Sequence, residues 1–316
     1  MKKHTGFIVF AFLITLLLFA ATGCGRPASS QAAPSDKVSI VSTIFAPYDF
    51  TRQIAGGKAE LTMLLPPAAE SHSFEPTPRD IIRIQNCDIF IYVGGESDAW
   101  IQNIMDSVDT SNMKLITLMD CVETVDEEIV EGMDHDHEED AEPDEHVWTS
   151  PRNAKLIVQK ISDTLCGVDP QNAPTYQQNT ASYLESLNRL DASFQSVVDV
   201  AKRKTLVFGD RFPFRYFADV YGLDYFAAFP GCSTETEASA ATVAFLIDKI
   251  NAEEIPVVFH AELSNQKMAN TISDSTGAKV LLLHACHNIS KTDFESGIGY
   301  LELMNQNVEN LKEALL

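Results

Sequence analysis

Two short segments of this chain carry residues suited to metal chemistry. Segment 70–78 (Glu-Ser-His-Ser-Phe-Glu-Pro-Thr-Pro) contains His72, and segment 144–151 (Asp-Glu-His-Val-Trp-Thr-Ser-Pro) contains His146. Each places a lone imidazole in a loop stiffened by proline and aromatic residues, with carboxylates beside it. Imidazole nitrogen and carboxylate oxygen bind a zinc-type divalent ion at roughly 2.0–2.2 Å. The two loops are far apart in sequence, so they predict one site assembled by the fold rather than a local chelating motif.

The elements that must position these loops alternate along the chain. Short apolar runs at 38–44, 60–65, 87–93 and 114–118 are bounded by Gly, Pro or Asp, and helix-like stretches at 48–54, 79–85 and 98–108 lie between them. A further helix is expected from Pro151 to Cys166. The second half repeats the pattern, with strands expected at 205–209, 223–227, 256–260 and 279–284 and helices at 214–221, 239–251, 265–276 and 300–315. Alternation of this kind predicts an α/β fold with small parallel sheets covered on both faces. Between the halves, apolar residues from Tyr176 to Ala201 recur at helical spacing. They predict one helix over 174–202, about 40 Å long at 1.5 Å per residue, a stiff strut between two lobes.

Ligands of parallel α/β sheets gather beyond the carboxyl ends of the strands. His72 follows the second strand, Asp210 closes the 205–209 strand, His260 ends the 256–260 strand, and His284 ends the 279–284 strand. His146 precedes the Pro151 helix. Convergence of these groups predicts a single divalent-metal site between the lobes.

Composition narrows the choice of partners. The chain has 316 residues and a formal net charge of −22, which argues against a nucleic-acid surface. Thirteen acids and no Lys or Arg occupy 123–145, so most of that charge sits in one segment. The start, with Lys2, Lys3 and an apolar run over 7–21, reads as a secretory signal over 1–23. The run is shorter than the roughly 20 residues of a membrane-spanning helix. Small residues followed by Cys24 resemble a bacterial lipoprotein signal, with Cys24 as the lipidated residue. A polar tether at 24–37 would then lead to the folded part. Expected organisation is an N-terminal lobe at 38–170, a connecting helix at 171–203 and a C-terminal lobe at 204–316. The remaining cysteines, at 87, 121, 166, 232 and 286, are odd in number and scattered, so they form no disulfide framework. Cys232 could pair with Cys286, though buried free thiols are the simpler expectation.

In these motifs the chain resembles the zinc/manganese solute-binding lipoproteins of bacterial ABC transporters. The resemblance rests on His72-x-Phe-x-Pro-Thr-Pro with its following helix and strand ending in Gly94 and Gly95. It rests equally on Asp144-x-His-Val-Trp-x-Ser-Pro, the long helix, Tyr216-Phe-Ala-Asp-Val-Tyr-Gly-Leu, Glu235-Thr-Glu-Ala-Ser, and the terminal segment 300–311. It implies two (β/α) lobes on a rigid helix, with one metal buried in the cleft and delivered to an ABC permease and its ATPase. It further implies a monomer, anchored outside the cytoplasm by an N-terminal lipid, that carries metal rather than catalysing a reaction.

By this resemblance His72 and His146 are the ligands of the first lobe. The third position falls on Asp210 if one residue is inserted there, and on Arg211, which cannot ligate, if none is. The fourth falls on His284, with His260 and His287 as rivals. Cys286 with His284 and His287 could instead form a tight local site. Three imidazoles and one carboxylate favour Zn2+, with Mn2+ as runner-up. His135 and His137, in the acidic segment, would serve as weak accessory ligands. The rival from another class is a secreted zinc hydrolase, for which Glu70, Glu145 or Glu262 could act as base. A metal-dependent adhesin that meets no permease is a third reading.

Overall fold

The computed structural model describes residues 37–70, 74–106, 108–133, 142–233 and 238–316. Cys24, His72, His135 and His137 lie outside the described residues.

Two four-stranded, all-parallel sheets organise the chain. The first contains β1 (Ser39–Ser42), β2 (Glu60–Met63), β3 (Ile89–Tyr92) and β4 (Lys114–Thr117), in the order β2-β1-β3-β4. The second contains β5 (Thr205–Phe212), β6 (Asp224–Pro230), β7 (Val257–His260) and β8 (Lys279–Leu282), in the order β6-β5-β7-β8. Strand order is therefore the same in both lobes. Each sheet reverses direction beside its first strand, where parallel sheets open a crevice for ligands.

Helices fill the connections: α1 (Phe45–Ala55), α2 (Pro78–Gln85), α3 (Ala99–Met105), α4 (Pro151–Val168), α5 (Ala173–Asp199), α6 (Arg215–Tyr221), α7 (Ala240–Glu253), α8 (Lys267–Thr276), α9 (Lys291–Glu295) and α10 (Tyr300–Leu315). Side chains alternate across each strand, so every sheet feeds two cores. On the outer faces, Val41 and Phe90 pack with Ile84, Ile101 and Ile104, while Val207 and Val258 pack with Leu246, Ile250 and Ile272. The inner faces, including Ile40, Ile89, Leu206 and Phe259, join one continuous core that contains Leu187, Phe194 and Tyr300. The lobes thus share their largest apolar cluster.

Helix α5 is the spine of that core. Near its start Asn179 donates to the Ile54 carbonyl, and Tyr183 packs on Phe50 of the first lobe. Near its end Phe194 meets Phe217 edge-on with centroids 4.8 Å apart, and Asp191 accepts from the Tyr221 hydroxyl. At 27 residues it spans about 40 Å. It stops at Asp199, short of the expected 202. Beyond the stop, the backbone N–H groups of Lys202 and Arg203 donate to the Leu315 carbonyl, turning the chain into β5.

Strand β5 runs further than the expected 205–209, and it is irregular. Phe208 faces Ala227 and Arg211 faces Phe229, so β5 takes three steps where β6 takes two. One extra residue is therefore accommodated as a bulge, which re-aims the side chains after it. Gly209 sits at this point because an added Cβ would lie 2.6 Å from the Ala269 Cα of α8. Among the described residues, no helix is long and apolar enough to cross a membrane.

Candidate metal centre

Both histidine motifs end in a helix start that proline makes rigid. Thr77 caps α2, accepting from the Asp80 N–H while the Asp80 carboxylate accepts from the Thr77 N–H, and Pro78 occupies the first turn. Ser150 caps α4 more simply, its hydroxyl accepting from the Arg152 N–H at 3.2 Å, with Pro151 next. Such caps fix the angle at which each loop enters its helix.

The second motif is fully described, and it is buried. His146 and Asp144 have no solvent exposure. Asp144 Oδ1 accepts from the His146 backbone N–H at 2.8 Å and lies 3.3 Å from His146 Nδ1. A carboxylate on one imidazole nitrogen sets the tautomer and orientation with which the other faces a metal. Burial disfavours a charged imidazole, but the Asp144 carboxylate, with the Cys232 thiol beyond it, outweighs burial and holds the His146 pKa well above its ordinary value. A tyrosine of the second lobe secures this loop. Tyr216 donates its hydroxyl proton to the Asp144 carbonyl at 2.7 Å. The Tyr300 hydroxyl likewise donates to the Trp148 carbonyl at 2.8 Å.

A cleft opens beside His146, and its far wall comes from the second lobe. Asp210, Arg211, Glu262 and His287 line it together with Glu70 of the first lobe. The bulge in β5 explains why two successive residues, Asp210 and Arg211, both reach it. Asp210 Oδ2 accepts from the Ala261 N–H at 3.2 Å. Arg211 donates to Glu70 Oε1 at 3.2 Å, an ion pair from one lobe to the other.

The four histidines within the described residues are not equivalent. The rings of His146 and His287 stand 5.5 Å apart at 80°, and both contact Trp148. His284 is not among the residues lining the cleft. Its Nδ1 accepts from the Cys286 N–H at 3.0 Å, and burial lowers its pKa against the opposing pull of the Glu262 carboxylate, in a ring packed inside the second lobe. His260 is turned inward too, with Nδ1 2.8 Å from the Ala261 carbonyl oxygen. Of the two histidines in this loop, His287 lines the cleft and His284 does not. The cause is a left-handed turn at Cys286 (φ 60°), which sends the two imidazoles of this loop different ways. Cys286 itself is buried, and its Sγ lies 3.9 Å from the His284 carbonyl oxygen. Cys232 and Cys286 are both free thiols.

Sequence reasoning gave no ligand role to Cys232, yet ligand atoms of Asp144, His146 and Cys232 all lie within 4.8 Å of one another. Position at the carboxyl end of β6 was the available signal. The carboxylates that a hydrolase would need as base are committed otherwise. Glu262 accepts from the backbone N–H groups of Ala285, His287 and Asn288, shaping the His287 loop. Glu70 pairs with Arg211, and Glu145 is buried against Gly95.

Two parallel α/β lobes on one long helix, with imidazoles and carboxylates gathered at the cleft, are the architecture of metal-binding solute receptors. Solved structures share it: the Zn(II)-bound ZnuA-like domain of AdcA from Streptococcus pneumoniae (TM-score 0.73, 30% identity, 88% of this chain and 99% of that one). The metal-dependent lipoprotein YcdH from Bacillus subtilis is similar (TM-score 0.75, 30% identity, 89% of this chain and 100% of that one). The chain belongs to the family described as zinc-uptake complex component A, periplasmic (ZnuA), which matches residues 40–314. Among curated relatives, the high-affinity zinc uptake system protein ZnuA of Bacillus subtilis is 31% identical over all of this chain and 98% of its own length. The zinc-binding lipoprotein AdcA of Streptococcus pneumoniae is 32% identical over 99% of this chain, which spans only 61% of that longer protein.

Proposed function

We propose that this chain captures Zn2+ outside the cytoplasm in the inter-lobe cleft and hands it to an ABC permease powered by its ATPase. The observation that carries the reading is the meeting of a buried, carboxylate-oriented His146 from one lobe with His287 and Asp210 from the other, in a member of a zinc-uptake family. The proposed ligand set is His72, His146, Asp210 and His287. Imidazole-rich sites suit zinc better than manganese, which prefers more oxygen.

The remaining organisation belongs to the same proposal. Residues 1–23 are the signal, Cys24 is lipidated, and 24–37 tether lobes at 38–170 and 204–316 joined through 171–203. The carrier acts as a monomer at the membrane surface. With the shared core holding the lobes together, metal enters through movement of the cleft loops rather than through wide hinge opening.

Calorimetry with elemental analysis on the mature protein and on His146→Ala tests this. One zinc per chain is expected, with affinity reduced by orders of magnitude in the variant while the melting profile of the metal-free protein survives. Equal stoichiometry and affinity in both proteins would overturn the assignment.

A further inference from the structure

Among the described residues, the fold brings the Cys232 thiol to within 4.8 Å of ligand atoms of both Asp144 and His146. Cys232 follows the carboxyl end of β6, in a turn whose backbone presses against the His146 loop. An added Cβ at Gly231 would meet the Phe212 carbonyl oxygen at 2.9 Å, and Asp144 Oδ2 and His146 Cε1 at 3.2 Å each. Only glycine permits that approach. The turn is then fixed from the acidic segment, where Glu127 Oε1 accepts from the Cys232 N–H at 2.9 Å. A second observation concerns Asp144. Its Oδ2 is buried, with no hydrogen-bond partner among the described residues, although buried carboxylate oxygens are nearly always satisfied.

We propose that Cys232 is a sulfur ligand of the metal held by His146, so that sulfur, nitrogen and oxygen from Cys232, His146 and Asp144 form one buried face of a tetrahedral site and leave a single position for one of His72, Asp210 and His287. The inference rests on the zinc-carrier reading above and deepens it. Around a tetrahedral zinc with Zn–S near 2.3 Å and Zn–N or Zn–O near 2.0–2.2 Å, neighbouring ligand atoms lie about 3.3–3.8 Å apart. The three atoms here, all within 4.8 Å, need to close by only about 1 Å. On ligation the thiol gives its proton to solvent and the thiolate donates an electron pair to the ion, and nothing is oxidised or reduced. Thiolate is a soft ligand that selects zinc and disfavours manganese. Cys232 is thereby a specificity-determining residue of this site.

Cobalt(II) reports the ligand set directly. Metal-free, reduced mature protein titrated with Co2+ should develop visible d–d bands of a low-coordinate site together with a near-ultraviolet thiolate-to-metal charge-transfer band. In Cys232→Ser the visible bands should persist and the charge-transfer band should vanish. Zinc affinity should fall by more than the ~10- to 100-fold seen when an outer-shell partner is removed. Should the variant fold poorly, wild-type protein still gives an answer, because zinc should shield Cys232 from iodoacetamide as mapped by peptide mass. Cobalt binding without the charge-transfer band, or a band that survives in Cys232→Ser, overturns the sulfur ligand and leaves the carrier standing. Failure of the wild-type protein to bind either metal overturns the carrier reading, and this inference with it.

Discussion

Trp148 donates its indole N–H to the carbonyl oxygen of Ala285 across 2.7 Å, with both groups buried. The bond ties the His146 motif of one lobe to the His287 loop of the other. It also fixes the distance between the two imidazoles, whose rings both rest against the same indole. Trp148→Phe keeps an aromatic ring but leaves the Ala285 carbonyl without its donor. A loss of about 1–3 kcal/mol in urea unfolding is expected, accompanied by weaker zinc binding in calorimetry. Unchanged values for both would show that the bond does not position the loop.

The two histidines of the 284–287 loop should separate cleanly. His287→Ala should lower zinc affinity by orders of magnitude with little change in the stability of the metal-free protein. His284→Ala should do the reverse, because it removes a buried ring that orders the loop and leaves the cleft intact. Calorimetry and denaturation on both variants check this, and a binding defect confined to His284→Ala would reverse the assignment.

The cation in the cleft wall opposes the proposed cargo. Arg211 is largely buried and held by Glu70 across the cleft. Replacing it with methionine keeps its apolar packing, removes the positive charge and detaches Glu70 from this ion pair. Zinc affinity should rise roughly three- to tenfold at low ionic strength, and by less as salt screens the charges. The same affinity at all salt concentrations would place the guanidinium outside the field that the metal feels.

Acid stability of the metal-free protein should carry the mark of Asp98. Burial pushes its carboxyl up to about 7, the Gly94 and Val93 N–H groups offset part of this, and Glu145 nearby adds to it. A carboxyl whose folded pKa lies above its unfolded value takes up a proton on folding. Its contribution is complete below the unfolded pKa, about 4, and is lost as pH rises through about 7. Over that window the wild type should lose up to about 1.4 kcal/mol per pH unit relative to Asp98→Asn. Urea midpoints at pH 5 and pH 8 measure the difference, and parallel profiles for the two proteins would refute it.

Much of this molecule was legible in the sequence, for identifiable reasons. The alternation of short apolar runs with amphipathic stretches yielded the parallel sheets because strands buried on both faces read as continuous hydrophobic runs. Long-range periodicity from Tyr176 onward yielded the spine α5 because its buried stripe is wide and uninterrupted. The carboxylate beside His146 and the rigid Ser-Pro helix start were readable in the sequence, whereas the complete burial of His146 and Asp144 was not. What stayed hidden depended on single backbone conformations. Whether His284 or His287 meets the cleft is decided by the left-handed Cys286, a conformation that cysteine seldom adopts and that no pattern announces. That Cys232 stands beside His146 follows from β6 continuing to Pro230 and from the close approach at Gly231. Neither is visible in hydrophobic periodicity.

The extra residue in β5 has a consequence for how the metal site could be lost or gained. Because the bulge lets Asp210 and Arg211 share the cleft wall, the sign of the charge there is governed by strand length as much as by residue identity. Deleting Gly209 would restore regular pairing with β6, leaving Arg211 opposite Phe229 and setting Asp210 opposite Ala228, so that the two side chains alternate to opposite faces and no longer share the wall. A change of one codon, with every ligand-type side chain retained, is enough to re-deal which charge an incoming cation meets first.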